Sequence, residues 1–217
     1  MVELKEIQKF CEGKKIIIVG NSSRLLNHNY GSLIDSYDIV VRINRGYLQH
    51  NLYTNMIGSK TTIVSIGVKS AAAALGIVGR NNLAYVLSPI IWSEKLQLQN
   101  GYDVKVNDYN ILKDKSNTNK PSTGISTYNF FNNLNNFKRL DLIGFDFFES
   151  SIRHINHLGH TKVFDHDGSK ELLFFEKVKD SNKTKLHIMK EDGIPPPNNI
   201  PRIPTNRKYT VKIHKAK

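Results

Sequence analysis

Lys15-Ile16-Ile17-Ile18-Val19-Gly20-Asn21-Ser22-Ser23 decides the fold class of this 217-residue chain. Four consecutive β-branched residues put apolar side chains on both faces of a strand, and only a sheet covered on both sides buries them all. The run breaks at a glycine into small polar residues, as a strand does when it feeds a loop at the carboxyl edge of a parallel sheet, where ligands bind. A second run, Ile39-Val40-Val41-Arg42-Ile43, has the same character, and Thr62 to Ser65, Ala84 to Leu87 and Leu140 to Ile143 are weaker strand candidates. Helical spacing marks Met1 to Cys11 (Leu4, Ile7, Phe10), Ile125 to Leu134, and Lys170 to Val178 (Leu172, Leu173, Phe175, Val178). This alternation predicts one α/β domain over residues 1–192, with a mostly parallel central sheet flanked by helices. Asn107 to Pro121 is polar and aperiodic and reads as a loop. Residues 193–217 read as a connector with five prolines, Gly193 to Pro204, then a basic strand, Tyr209 to Ile213, packed on the same domain.

A chain that is 39% hydrophobic and 23% charged has the composition of a globular protein. No apolar run approaches the roughly 18–20 residues of a membrane span, and the amphipathic start argues against a signal peptide or anchor. The single cysteine, Cys11, excludes an intramolecular disulfide and a cysteine-based zinc site, so the expected compartment is the reducing cytoplasm. Lys and Arg number 31 against 19 Asp and Glu, a net charge of +12, which suits a polyanionic partner. From Lys183 onward nine basic residues face only Glu191 and Asp192. Arg202, Arg207, Lys208, Lys212 and Lys215 are therefore the candidate nucleic-acid contacts.

Several segments have the chemistry of a ligand site. Gly20, Asn21 and Ser22 follow the first strand, but the remaining glycines of GxGxxG are missing and no Gly-Lys-Ser/Thr follows. Arg42 lies inside an apolar run, where its charge requires either a buried partner or a ligand. Asn44 offers one donor pair and one acceptor to a sugar or base edge. Pro121-Ser122-Thr123-Gly124 opens a helix, either as a plain N-cap or as a phosphate cradle of hydroxyls and backbone N–H groups. His154, His157, His160 and His166 crowd one stretch; they read as surface residues, as zinc ligands through His154, His157 and His160, or as a general base whose ring a carboxylate such as Glu171 orients. Asp165-His166-Asp167 spells DxD without a strong strand before it. Asp146, after Ile143-Gly144-Phe145, is the better placed carboxylate.

Taken in order, these pieces resemble the sialyltransferases of glycosyltransferase family 29. Val19 to Ser22, Arg42 to Asn44 and Gly58 to Thr62 look like the long sialyl motif. Pro121 to Gly124 with Ile143 to Asp146 looks like the short motif, and His166-x4-Glu171 like the very short one. His154 to His160 occupies the place of the histidine-containing third motif. The resemblance implies a Rossmann-like domain of the modified GT-A type and an inverting, metal-independent transfer from a CMP-sugar, with no cofactor. It implies donor contacts by Gly20, Asn21, Ser22, Arg42, Asn44, Ser122, Thr123, Gly124, Gly144 and Phe145. His166 becomes the general base, His160 assists the leaving phosphate, and Glu171 and Asp146 complete the catalytic set. Animal members carry a membrane anchor, a stem and a disulfide between the long and short motifs, and a single cysteine cannot make that disulfide.

A compact, basic transferase with these features fits DNA as acceptor. Lys and Arg grip phosphates regardless of sequence, and a flipped base can then enter the pocket. The expected acceptor is a hydroxymethylated base, 5-hydroxymethylcytosine, as in bacteriophage DNA modification. The alternatives are transfer to a glycan or lipid-linked oligosaccharide, and a non-catalytic nucleotide or nucleic-acid binding protein.

Overall fold

The structure, a computed structural model, describes residues 4–46, 53–67, 83–89, 103–106, 121–149 and 166–187. In chain order these form α1 (Leu4–Cys11), β1 (Lys15–Val19), a 3-10 turn (Ser23–Asn27), α2 (Gly31–Asp35), β2 (Ile39–Ile43), α3 (Thr54–Ile57), β3 (Ile63–Ser65), β4 (Tyr85–Pro89), β5 (Asp103–Val106), α4 (Thr123–Leu134), β6 (Arg139–Ile143), α5 (Gly168–Val178) and β7 (Thr184–His187). The strands make one seven-stranded sheet in the order β5-β4-β3-β2-β1-β6-β7, and every pairing is parallel.

The apolar runs sort by parity. Ile16 and Ile18 of β1, with Ile39, Val41 and Ile43 of β2 and Leu140 and Leu142 of β6, pack under α1, α4 and α5 through Ile7, Cys11, Ile125, Tyr128, Phe131, Phe174 and Phe175. Ile17, Val19, Val40 and Ile143 face the other way, onto Leu25 and Leu26 of the 3-10 turn, Ile34 of α2 and Ile57 of α3. Both faces of β1 and β2 are thus covered, which is why these strands read as unbroken hydrophobic runs.

After β1 the chain adds strands outward on one side through β5, then returns to place β6 and β7 on the other. The strand order therefore reverses between β1 and β6, and in such sheets a crevice opens outside the carboxyl ends at that switch. Two strands went unforeseen. β5 is half charged, and β7 carries Lys185 and His187 in what reads as the start of a basic tail. Lys185 is exposed, whereas His187 turns inward onto the buried carboxylate of Asp141 on β6, 3.0 Å away.

Candidate functional site

The cleft lies at this switch point and is lined by Gly20, Asn21 and Ser22 after β1, Ile43 and Asn44 at the end of β2, Ser122 to Gly124 at the start of α4, Gly144 to Phe148 after β6, and His166 with Glu171 at the start of α5. Gly20 N–H donates to Ile143 O (2.7 Å) and Ser22 N–H to Gly144 O (3.1 Å), so the β1–β6 ladder continues past both strand ends. A Cβ on Gly20 would stand 2.2 Å from Gly144 O. The glycine is therefore required by the neighbouring chain's approach, a tighter constraint than the ligand access expected from sequence.

The amide of Asn21 donates to Ile43 O (3.2 Å), while its Oδ1 is buried with no hydrogen-bond partner among the described residues. Asn44 sits in the left-handed region (φ 52°) and closes a bridge: its Oδ1 accepts from Gly67 N–H (2.8 Å) and its Nδ2 donates to Thr123 Oγ1 (3.3 Å). Both halves of this amide are engaged within the protein, so Asn44 fastens β2 to the post-β3 loop and to α4 instead of presenting a free donor and acceptor.

Ser122 is the N-cap of α4, its Oγ accepting from Ile125 N–H (3.2 Å). Its own N–H and hydroxyl donate to the two carboxylate oxygens of Glu171, at 2.6 and 2.7 Å. Glu171 is 2% exposed, so these two short bonds lie in a protected setting, and they fix the start of α4 against α5. Thr123 and Gly124 line the cleft at the helix end where N–H groups lack an intrahelical acceptor and the dipole is positive, an environment that favours a phosphate. Gly124 is needed because a Cβ there would meet the Phe145 ring at 2.6 Å.

Asp146 accepts from Ser22 Oγ (2.8 Å) and from Phe148 N–H (3.2 Å), tying the β1 loop to the turn after β6. That turn is unusual: Phe147 and Phe148 have φ of 48° and 66°, in the left-handed region that bulky residues avoid. The Phe148 ring stacks on His166, with centroids 5.2 Å apart and planes 28° from parallel. His166 directly precedes Asp167, the N-cap of α5, whose carboxylate accepts from Lys170 N–H (3.1 Å). Asp167 of the DxD-like triplet is thus a helix cap. Phe147 and Phe148 are lining residues that sequence reading missed; only the aromatic pair directly after Asp146 signals them.

Arg42 is the expected donor contact that the structure does not bring to the cleft. It is 1% exposed, and its guanidinium donates to Ile57 O (2.8 Å), Lys60 O (3.1 Å) and Thr61 Oγ1 (3.0 Å). Burial lowers its pKa to about 10, with the nearby Asp35 charge working against that fall, so the side chain stays cationic at neutral pH. Asp35 accepts from the backbone N–H groups of Ser59 and Lys60; burial pushes its carboxyl up, but these bonds leave it below its ordinary value. Gly58 to Thr62 therefore serves as a strut between α3 and β3. His160, with His154 and His157, and Arg202, Arg207, Lys208, Lys212 and Lys215 lie outside the described residues. Among the described residues no group of His, Cys, Asp or Glu has the arrangement of a metal site, and no helix is long and apolar enough to cross a membrane.

Residues 5–141 match the family description "Glycosyltransferase family 29 (sialyltransferase)". By sequence, 60 residues are 38% identical to the CMP-N-acetylneuraminate-beta-galactosamide-alpha-2,3-sialyltransferase 4 of Mus musculus, covering 28% of this chain and 17% of that protein. Forty-six residues are 46% identical to the Beta-1,6-galactosyltransferase GALT29A of Arabidopsis thaliana, covering 21% and 11%. The matched stretches thus span less than a fifth of these relatives' lengths. Among solved structures, a mammalian sialyltransferase in complex with Gal-beta-1-3GalNAc-ortho-nitrophenol aligns with a TM-score of 0.60 at 19% identity, over 88% of this chain and 75% of that one. The sialyltransferase CstII from Campylobacter jejuni, in complex with CMP-3FNeuAc, aligns with a TM-score of 0.55 at 16% identity, over 81% of each chain.

Proposed function

The chain belongs to glycosyltransferase family 29, and from that premise we propose that it transfers a sugar from a CMP-activated donor to a saccharide hydroxyl, with inversion and without a metal ion. The observation that carries this reading is the convergence of Asn21, Thr123, Gly124 and His166 on one cleft at the sheet's switch point. The amide side chain of Asn21, which lines the cleft, suits a polar edge of the nucleotide, and the α4 N-terminus suits its phosphate. In the transfer, the acceptor oxygen attacks the anomeric carbon and His166 takes the hydroxyl proton. The bond from that carbon to the phosphate oxygen breaks, and CMP leaves with the electron pair. Ser122, Glu171, Asn44 and Asp146 hold these groups in place.

Two observations favour second readings. The net charge of +12 favours 5-hydroxymethylcytosine DNA as acceptor, through Arg202, Arg207, Lys208, Lys212 and Lys215. The relative named as a galactosyltransferase favours a different sugar, and with it a different donor. We favour the saccharide acceptor because the names of the sialyltransferase relatives specify a β-galactosamide and a β-1,4-galactoside. The test incubates the full chain with CMP-N-acetylneuraminate and either a β-galactoside or hydroxymethylated duplex DNA, with and without EDTA, and follows product by mass spectrometry. Product on the galactoside, insensitive to EDTA and cut roughly 10²–10⁴-fold in His166→Gln, is the expected result. Product on DNA alone would replace the saccharide acceptor, and no product on either would overturn the proposal.

A further inference from the structure

We propose that Phe148 is a positioning residue for His166: its ring fixes the plane of the imidazole and stabilises the imidazolium formed when His166 accepts a proton. The inference rests on the reading of His166 as proton acceptor. The backbone of His166 is set by the α5 cap at Asp167, and the face of Phe148 is stacked on its ring, with centroids 5.2 Å apart and planes 28° from parallel.

The turn that delivers Phe148 is held against its own preference. Two consecutive phenylalanines occupy the left-handed region, a conformation that persists only where the surroundings impose it, most often at functional sites. Asp146 imposes it from one side by accepting the Phe148 N–H at 3.2 Å. Gly168 imposes it from the other, since a Cβ there would stand 1.6 Å from Phe147 O. Phe147 then points inward, toward Phe145 and the buried Phe175, with centroids 6.4 and 6.1 Å away. Phe148 is left over the cleft. An aromatic face attracts a cation, so the stack strengthens as the imidazole becomes charged, which is the change a general base undergoes.

The test is NMR of the full chain labelled with 13C-histidine, with His166→Gln used to assign the ring resonances, alongside turnover of CMP-N-acetylneuraminate. The wild-type His166 ring protons should be shifted upfield by the Phe148 ring current. Phe148→Leu should abolish that shift, move the His166 titration midpoint to lower pH, and cut kcat about two- to fivefold with KM for the donor unchanged. Phe148→Tyr should restore all three. Identical His166 shifts and midpoints in wild type and Phe148→Leu would overturn the proposal, as would a Phe148→Tyr variant no better than Phe148→Leu. If Phe148→Leu fails to fold, the wild-type spectrum decides alone: random-coil shifts for the His166 ring refute the stack. A ring-current shift in a protein that transfers no sugar sustains the stack and overturns the functional reading, so the two fail separately.

Discussion

Asp141→Asn removes the charge of a fully buried carboxylate in the sheet. Asp141 sits mid-strand in β6, 0% exposed, and four donors converge on its two oxygens: Tyr37 Oη (2.5 Å), Arg139 Nε (2.9 Å), His187 Nε2 (3.0 Å) and Lys185 N–H (3.2 Å). Burial raises the carboxyl's pKa, but the bonds from His187, Arg139 and Tyr37 outweigh it and bring the value from 3.8 to about 2. A folded-state pKa below the unfolded value means that folding prefers the ionised form. The stabilisation is therefore fully present above pH 4–5 and is lost as the pH falls through the folded pKa near 2. At about 1.4 kcal/mol per pH decade, this displacement is worth roughly 2.5 kcal/mol at pH 7, with about half left at pH 3. Asn keeps the shape but turns an NH2 group toward two of the donors, so it should cost about the same, or roughly 5–10 °C in Tm for a domain of this size. Urea unfolding of both proteins at pH 7 and pH 3 measures it. A gap below about 0.5 kcal/mol at pH 7, or one of equal size at pH 3, would refute the reasoning.

Three further outcomes follow from the same contacts. Arg42→Met leaves the buried acceptors Ile57 O, Lys60 O and Thr61 Oγ1 without their donor, and should cost about 2–4 kcal/mol in urea unfolding while leaving nucleotide affinity in the folded protein within about twofold. Glu171→Gln can accept only one of the two Ser122 donors, so it should cost about 1–2 kcal/mol of stability and weaken nucleotide binding as α4 loosens, both readable by calorimetry. Gly168→Ala drives a methyl into Phe147 O; turnover should fall at least tenfold, with loss of the His166 ring-current shift as the companion readout.

How much of this was legible depends on what each segment buries. β1 and β2 are covered on both faces, so their apolar runs stand out; β7 has one strong apolar residue, Leu186, and its His187 is inward only because Asp141 waits on β6. No local pattern shows such a cross-strand pairing. The cleft segments were legible as strand ends and a helix start, but their detailed tasks were not. Arg42 and Asn44 are polar residues at the end of a core strand, and sequence cannot tell a carbonyl, amide or hydroxyl of the same chain from a ligand as the partner. Glu171 was read through its spacing from His166, whereas both its oxygens reach Ser122, 49 residues away in sequence. Phe148 gave little sign of its place, since only the preceding turn points an ordinary aromatic at His166.

The central claim, a cleft built for a CMP-sugar, is tested most directly by thermal shift with CMP, UMP, UDP, GDP and AMP at moderate salt. A ligand at 100 times its Kd adds about 2.7 kcal/mol, so CMP should raise Tm by about 5–10 °C, the other nucleotides much less, and Asn21→Ala should remove most of the shift. A selective rise with UDP, or none with any nucleotide at saturating concentration, would contradict the account.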